Sequence, residues 1–255
     1  MSSILIFDSG IGGLSIMQHI EQALPNLSIH YVADYAAYPY GEKKEQWLIK
    51  RINELMNSLN NTLKPDAIII ACNTASTLAL PSLRSNLATP IIGVIPAIKT
   101  ASELSQNKKI GLLATPGTVS RIYMDKLIEE FATDCQVTRV GSTNMVNLAE
   151  QKLSGSAPSL EILKNILQPF IANLCDHVVL GCTHFPLLKN DLAQLNTGIT
   201  FIDSGTAIAN RAQYILKGNI VHANKKEMTF YTTKKITPSL QNHLVTMGFH
   251  SFNSI

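Results

Sequence analysis

The sequence is poor in several things at once. Charged residues fill 15% of its 255 positions and aromatics 6%, with a single tryptophan, Trp47. Its hydrophobic content of 45%, with so little charge, excludes a disordered chain. Four cysteines in this length are too few for a disulfide-stapled secreted domain. The longest apolar runs, such as Ala67 to Cys72, are strand length and cannot span a bilayer. The opening run Ile4–Phe7 is too short for a signal-peptide core and has no basic flank. Lys and Arg number 21 against 18 Asp and Glu, and the lysine pairs at 43–44, 108–109, 225–226 and 234–235 are scattered without interleaved aromatics. That pattern reads as a solvated surface, with neither nucleic acid nor membrane as partner. A cytoplasmic protein is expected, with its cysteines as thiols.

What is present is a repeating alternation of short apolar runs and amphipathic stretches. Ile4–Phe7, Ser28–Ala33 and Ala67–Ala71 read as strands, separated by helices over about Gly13–Leu24 and Lys43–Leu63. The pattern restarts with strands at Lys109–Ala114, Gln136–Val140 and His177–Gly181, and helices at Thr118–Ala132 and Leu160–Leu174. Laid side by side, the two series match. Asp66–Thr74 (DAIIIACNT) aligns with Asp176–His184 (DHVVLGCTH), and Ile4–Gly10 (ILIFDSG) with Ile110–Pro116 (IGLLATP), at offsets of 110 and 106 residues. One α/β unit used twice is the expectation. The fold class is α/β: two similar, doubly wound parallel-sheet domains related by pseudo-twofold symmetry, with an active site in the cleft between them. The break comes in the proline- and glycine-interrupted stretch from Thr89 to Pro96. The first domain is then residues 1–94 completed by a tail, 206–255, and the second is 95–205. The tail should add a helix (Ala207–Leu216), a strand (Met228–Thr232) and a last helix (Ser239–Met247).

In open parallel sheets, ligands collect at the carboxyl ends of the strands. Cys72 and Cys182 both fall there, each after a buried strand and before a polar pair, Asn73-Thr74 or Thr183-His184. Two thiols approaching one carbon from opposite sides would suit two-base proton exchange, since a thiol titrates near enough to neutrality to swap roles. Buried packing is the competing account of any cysteine, and it is preferred for Cys135 and Cys175. A zinc site from Cys175, Cys182 and His184 is disfavoured, because the spacing fits no close-paired pattern and supplies too few ligands. In the loop Asp8–Ser15, Gly10 and Gly12 resemble a dinucleotide fingerprint whose third glycine would fall at Ser15. Ser9 and the amides entering the following helix could instead cradle a carboxylate, with Asp8 serving a nearby thiol or merely capping the helix. Tyr40, Gly41, Thr115 and Thr118 are further strand-end polar positions, able to bind carboxylate or ammonium groups or simply to form turns.

The chain resembles the aspartate/glutamate racemase superfamily. The motifs that carry the likeness are IFDSGIGGLS (6–15), YPYGEK (38–43), ACNTAS (71–76), GVIPA (93–97) and GCTHFPLL (181–188), in the family's order. The resemblance implies racemisation of glutamate without cofactor or metal, supplying D-glutamate for peptidoglycan. His184 in GCTH favours glutamate over aspartate. Carried over by position, Cys72 would deprotonate D-glutamate and Cys182 the L-enantiomer. Asp8 would assist the first thiol, and His184 with Glu150 the second. Substrate contacts would fall on Asp8, Ser9, Tyr40, Gly41, Asn73, Thr74, Thr183 and His184, with Thr115 and Thr118 nearby. A homodimer is among the assemblies that the helical faces allow.

The family's usual Cys-Pro is replaced here by Ser142-Thr143, and its usual proline before the glutamate by Asn147. Both departures bear on the role of Glu150. No N-terminal extension precedes the first strand, so the regulatory site that some relatives build with one is not expected. Two readings compete with the two-thiol racemase. One is another reaction of the superfamily, such as aspartate racemisation or single-thiol decarboxylation. The other is a binding or regulatory module that keeps a ligand cleft without catalysis.

Overall fold

The computed structural model describes residues 2–217 and 226–255. Of the lysine pairs, Lys225 lies outside the described residues. The described strands are β1 (Ser3–Asp8), β2 (Ser28–Ala33), β3 (Ala67–Ile70), β4 (Ile91–Gly93), β5 (Lys109–Ala114), β6 (Gln136–Gly141), β7 (His177–Leu180), β8 (Thr200–Ile202), β9 (Met228–Thr232) and β10 (Ser251–Ser254). The chain divides into two compact units, Met1–Val94 with Gly205–Ile255, and Ile95–Ser204.

In the first unit the sheet order is β10-β9-β2-β1-β3-β4, and every pair is parallel. β1 and β3 are buried along their whole length, which explains why their sequences are continuous apolar runs rather than alternations. The helix Glu45–Leu63 buries Leu48, Ile52, Met56 and Leu59, a stripe at helical spacing, in the core that also holds Leu5, Phe7, Ile68 and Ile70. In the second unit the order is β6-β5-β7-β8, again all parallel. Its core includes Ile110, Leu112, Met124, Leu127 and Val179.

The internal match extends to hydrogen-bonding register. In the first unit Ile4 lies opposite Ala67 and Phe7 opposite Ile70. In the second, the aligned residues repeat this: Ile110 opposite His177 and Leu113 opposite Leu180. β1 on β2 and β5 on β6 match equally, from Ser3–Ser28 and Lys109–Gln136 onward. The aligned aspartates anchor the amino ends of these strands. The Ser3 N–H donates to Asp66 Oδ2 at 2.7 Å, and Asp176 accepts from the Ser105 hydroxyl and the Gln106 and Asn107 amides.

Several boundaries differ from the sequence-based expectation. The helix expected over Thr118–Ala132 is two helices, Pro116–Val119 and Ile122–Phe131. At the break, the Ser120 hydroxyl donates back to the Pro116 carbonyl at 3.1 Å, a side-chain bond that competes with helix continuation. The first helix is Leu14–Ala23 and the long one starts at Glu45, after a 3-10 turn at Tyr40–Glu42. The last helix is Pro238–Thr246, with the Thr237 hydroxyl accepting the Leu240 N–H. The tail helix begins at Gly205.

The tail contributes β9 and β10 to the free edge of β2. Its attachment is aromatic. Tyr31 of β2 stacks on Phe230 of β9 with centroids 5.4 Å apart, and Phe249 meets both rings edge-on. All three side chains are fully buried. No described helix is long and apolar enough to cross a membrane.

Truncating the centre of this aromatic cluster with Phe230→Ala should cost about 3–5 kcal/mol of stability, read from urea unfolding monitored by circular dichroism. A loss below about 1 kcal/mol would mean that the tail is not integral to the first unit's core.

Candidate active site

In the first unit, the polar residues gather at the carboxyl ends of β1, β2 and β3. Cys72 lies two residues past β3, at the start of the helix Asn73–Asn86. A thiolate there would be favoured by the helix N-terminus. The turn is fixed by Ser76, whose hydroxyl donates to the Ile70 carbonyl at 2.7 Å and accepts the Val94 N–H at 3.0 Å. Ser9 Oγ lies 3.7 Å from Cys72 Sγ. Asn73 and Thr74 follow as the first, buried residues of the helix.

Asp8 ends β1, fully buried, on the strand adjacent to β3. Its carboxylate accepts the Gly10 N–H at 2.9 Å, and the helix that follows starts only at Leu14. Asp8 therefore ties down the start of the glycine loop. At the entry to the helix, the Leu14 and Ser15 amides bond the Ile11 and Gly12 carbonyls. Gly13 is required by close approach: a Cβ there would sit 2.9 Å from the Tyr31 hydroxyl and 3.0 Å from Ala71 Cβ.

Tyr40 is buried, and its hydroxyl donates to Asp34 Oδ2 at 2.7 Å. Gly41, next to it, is exposed. Asp34, which sequence reasoning did not single out, is fully buried just past β2. It is gripped by a two-pronged Arg51 guanidinium, with both contacts at 2.6 Å, and by the Thr233 hydroxyl at 2.7 Å. Burial works against its charge, but the Arg51, Tyr40 and Thr233 donors outweigh that and hold the carboxyl below its usual range. Burial, followed by the neighbouring Asp34 charge, pushes the Tyr40 phenol far up, so the group stays protonated. The one available signal was position: a carboxylate directly after a buried strand.

In the second unit, Cys182 lies two residues past β7. Its Sγ is 3.9 Å from His184 Nδ1, and His184 Nε2 is 2.8 Å from Glu150 Oε1. Glu150 projects from the helix Asn144–Leu153, whose first turn is held by the Ser142 hydroxyl accepting the Met145 N–H at 3.2 Å. With Ser142-Thr143 in place of the Cys-Pro pair, Glu150 still reaches His184. Burial disfavours the imidazolium, but the Cys182 and Glu150 contacts outweigh it, so His184 is held well above the ordinary imidazole range. Thr183, between Cys182 and His184 in the sequence, is buried. Thr115 and Thr118 bond each other through their hydroxyls at 2.9 Å, at the end of β5.

The other two cysteines differ. Burial raises the Cys135 and Cys175 thiols, and Cys175 is held by its amide donating to the Phe170 carbonyl at 2.9 Å. Among the described residues, no three His, Cys, Asp or Glu side chains are grouped to hold a metal ion.

Comparison with known proteins bears on this arrangement. Residues 4–212 match the model of the Asp/Glu/Hydantoin racemase family. A glutamate racemase of Shewanella loihica is 44% identical over 251 residues, covering 98% of this chain and 94% of that protein. The crystal structure of Escherichia coli glutamate racemase, in complex with L-glutamate and activator UDP-MurNAc-ala, is 41% identical with a TM-score of 0.92, covering 100% of this chain and 98% of that one. Glutamate racemase from Francisella tularensis, in complex with D-glutamate, is 26% identical with a TM-score of 0.82, at 100% and 97% coverage.

The raised His184 gives a pH signature. Its contribution to stability is fully present below the ordinary imidazole value of 6.5 and is lost as pH rises through the folded-state value. The stability difference between the native chain and His184→Gln should therefore shrink as the medium becomes alkaline. By NMR, the His184 ring should titrate above the ordinary range, and Glu150→Gln should lower its midpoint. An unchanged midpoint in that variant would remove Glu150 as a cause.

Proposed function

We infer the chemistry from the premise that this chain belongs to the Asp/Glu/Hydantoin racemase family and, within it, to the glutamate racemases. It is an amino-acid racemase, an isomerase acting on a small-molecule substrate. We propose that it interconverts L- and D-glutamate by two-base exchange at Cα, with Cys72 and Cys182 as the two acid/base groups.

In the proposed cycle, the Cys72 thiolate takes the Cα proton of D-glutamate. The electron pair of the broken C–H bond passes into the carboxylate as an enolate-like dianion. The Cys182 thiol then returns its own proton to the opposite face of that carbon, leaving L-glutamate and a Cys182 thiolate. The reverse cycle begins at Cys182. Atoms and electrons balance without an oxidant, and neither cofactor nor metal has a part in the scheme. One observation carries this reading: two thiols occupy the same position, two residues past the ends of β3 and β7, in the same ladder register.

The difficult step is removing a weakly acidic proton beside a carboxylate. Hydroxyl and backbone donors would stabilise the developing charge, and Ser9, Asn73, Thr74 and Thr183, next to the thiols, are suited to this. Tyr40, Gly41, Thr115 and Thr118 complete the proposed substrate set. The two thiols would be tuned differently. Cys72 has the start of a helix, the Ser9 hydroxyl and, on our reading, Asp8. Cys182 has His184 beside it, held by Glu150 and kept cationic by those contacts. The product D-glutamate would supply cytoplasmic peptidoglycan synthesis.

Cys72→Ser and Cys182→Ser should each lower kcat/KM for racemisation about 10²–10⁴-fold, followed by circular dichroism of glutamate and by deuterium entry at Cα in heavy water. Wild-type racemisation by either variant would defeat the two-thiol mechanism. The native gene should relieve the D-glutamate requirement of a bacterium lacking its own racemase, and neither serine variant should.

A further inference from the structure

Glu150 sits in the last turn of the helix Asn144–Leu153, where the carbonyl ends of a helix repel a carboxylate. A group so placed needs cations and a firm seat. Two residues further on, Lys152 Nζ donates to the Leu187 carbonyl at 3.0 Å and to Asp191 Oδ2 at 2.6 Å. Both acceptors belong to the chain that follows Cys182. The Leu187 N–H bonds the His184 carbonyl at 3.2 Å, in the turn that begins at His184. Asp191 lies in the short helix Lys189–Ala193, and its side chain is only 12% exposed.

The end of the Glu150 helix is thus fastened twice to one segment: once by Glu150 on His184, and once by Lys152 on Leu187 and Asp191. The reaction scheme uses the first contact and gives the second no part. A partly buried ion pair of this kind has a definite geometry and a reason to keep it, because removing one partner strands a charge away from water. The ammonium also offsets the negative end of the helix beside Glu150.

We propose that Lys152 and Asp191 form a positioning pair that sets the Glu150–His184 contact and so the orientation of His184 toward Cys182. Its effect on catalysis rests on the two-thiol reading above. Neither residue touches the substrate in this scheme; they act through Glu150 and His184. Their loss alters the Cys182 side and leaves the Cys72 side as it was.

The test compares Lys152→Met, which keeps length and loses charge, with Lys152→Arg, which keeps the charge. Two readouts are taken: steady-state racemisation, and the pH dependence of iodoacetamide alkylation at each thiol, mapped by peptide mass spectrometry. Misplacing a catalytic group slightly is costly, so K152M should lower kcat about tenfold with KM changed less than about twofold. The alkylation profile at Cys182 should change while that at Cys72 stays, and K152R should restore most of both kcat and the profile. A folded K152M with wild-type kcat and a wild-type Cys182 profile overturns the proposal. Equal shifts at both thiols also overturn it, because they would report general loosening. Should K152M fail to fold, Asp191→Asn carries the same readouts. If Cys182→Ser keeps wild-type activity, the two-thiol reading fails on its own, and the Cys182 alkylation profile still judges the pair.

Discussion

A parallel strand buried on both faces leaves only one place for polar chemistry, its ends. β1 and β3 in the first unit, and nearly all of β5 and β7 in the second, are enclosed by apolar packing along their length. Their backbone groups are satisfied by the ladder, and their side chains must be apolar. At the carboxyl ends the ladder stops, the chain turns, and hydroxyls, carboxylates and thiols become affordable. Asp8, Ser9, Cys72, Asp34 and Tyr40 crowd one such rim, and Cys182, Thr183, His184, Thr115 and Thr118 line the other. The register that places Cys72 two residues beyond β3 is the same register that places Cys182 two residues beyond β7.

The equivalence reaches residues with unlike jobs. Asp34 and Ser142 each follow the neighbouring strand by one residue, and each donates its amide to the aligned carbonyl, of Asp8 in one unit and Ala114 in the other. Asp34 uses its side chain to hold Tyr40 and Arg51, whereas Ser142 uses its own to start the helix that carries Glu150. One backbone scaffold thus supports two different ways of seating a side chain near a thiol. The first relies on a buried, multiply bonded carboxylate. The second relies on a helix that brings a carboxylate to an imidazole.

Much of this was legible in the sequence, because strand identity and thiol position are both local properties. Ile4–Phe7, Ala67–Ile70 and His177–Leu180 are apolar runs of strand length, and the repeat DAIIIACNT/DHVVLGCTH places the cysteines by alignment alone. What escaped was tertiary. Asp34 and Arg51 are 17 residues apart, and Lys152 and Asp191 are 39 apart, with no spacing rule to join them. β4, β8 and β10, of three or four residues each, are too short to show a period. The break at Ser120 depended on one hydroxyl choosing a carbonyl four residues back. The sequence singled out the Asp8 carboxylate, but its bond to the Gly10 amide two residues on follows no motif spacing.

The aligned strands differ at one telling position, for where β1 ends in Asp8, β5 ends in Ala114. An acid stands beside one thiol's strand and a methyl group beside the other's. If the two thiols exchange protons with mirror-image forms of one amino acid, those forms have equal energy in water. No inequality between the two helpers can then tilt the final mixture away from half and half. The asymmetry is free to act only on how full the catalyst becomes with each enantiomer and on which resting protonation state awaits the next molecule. A duplicated scaffold can therefore let its halves drift apart chemically, provided that what one direction gains in turnover it returns in occupancy.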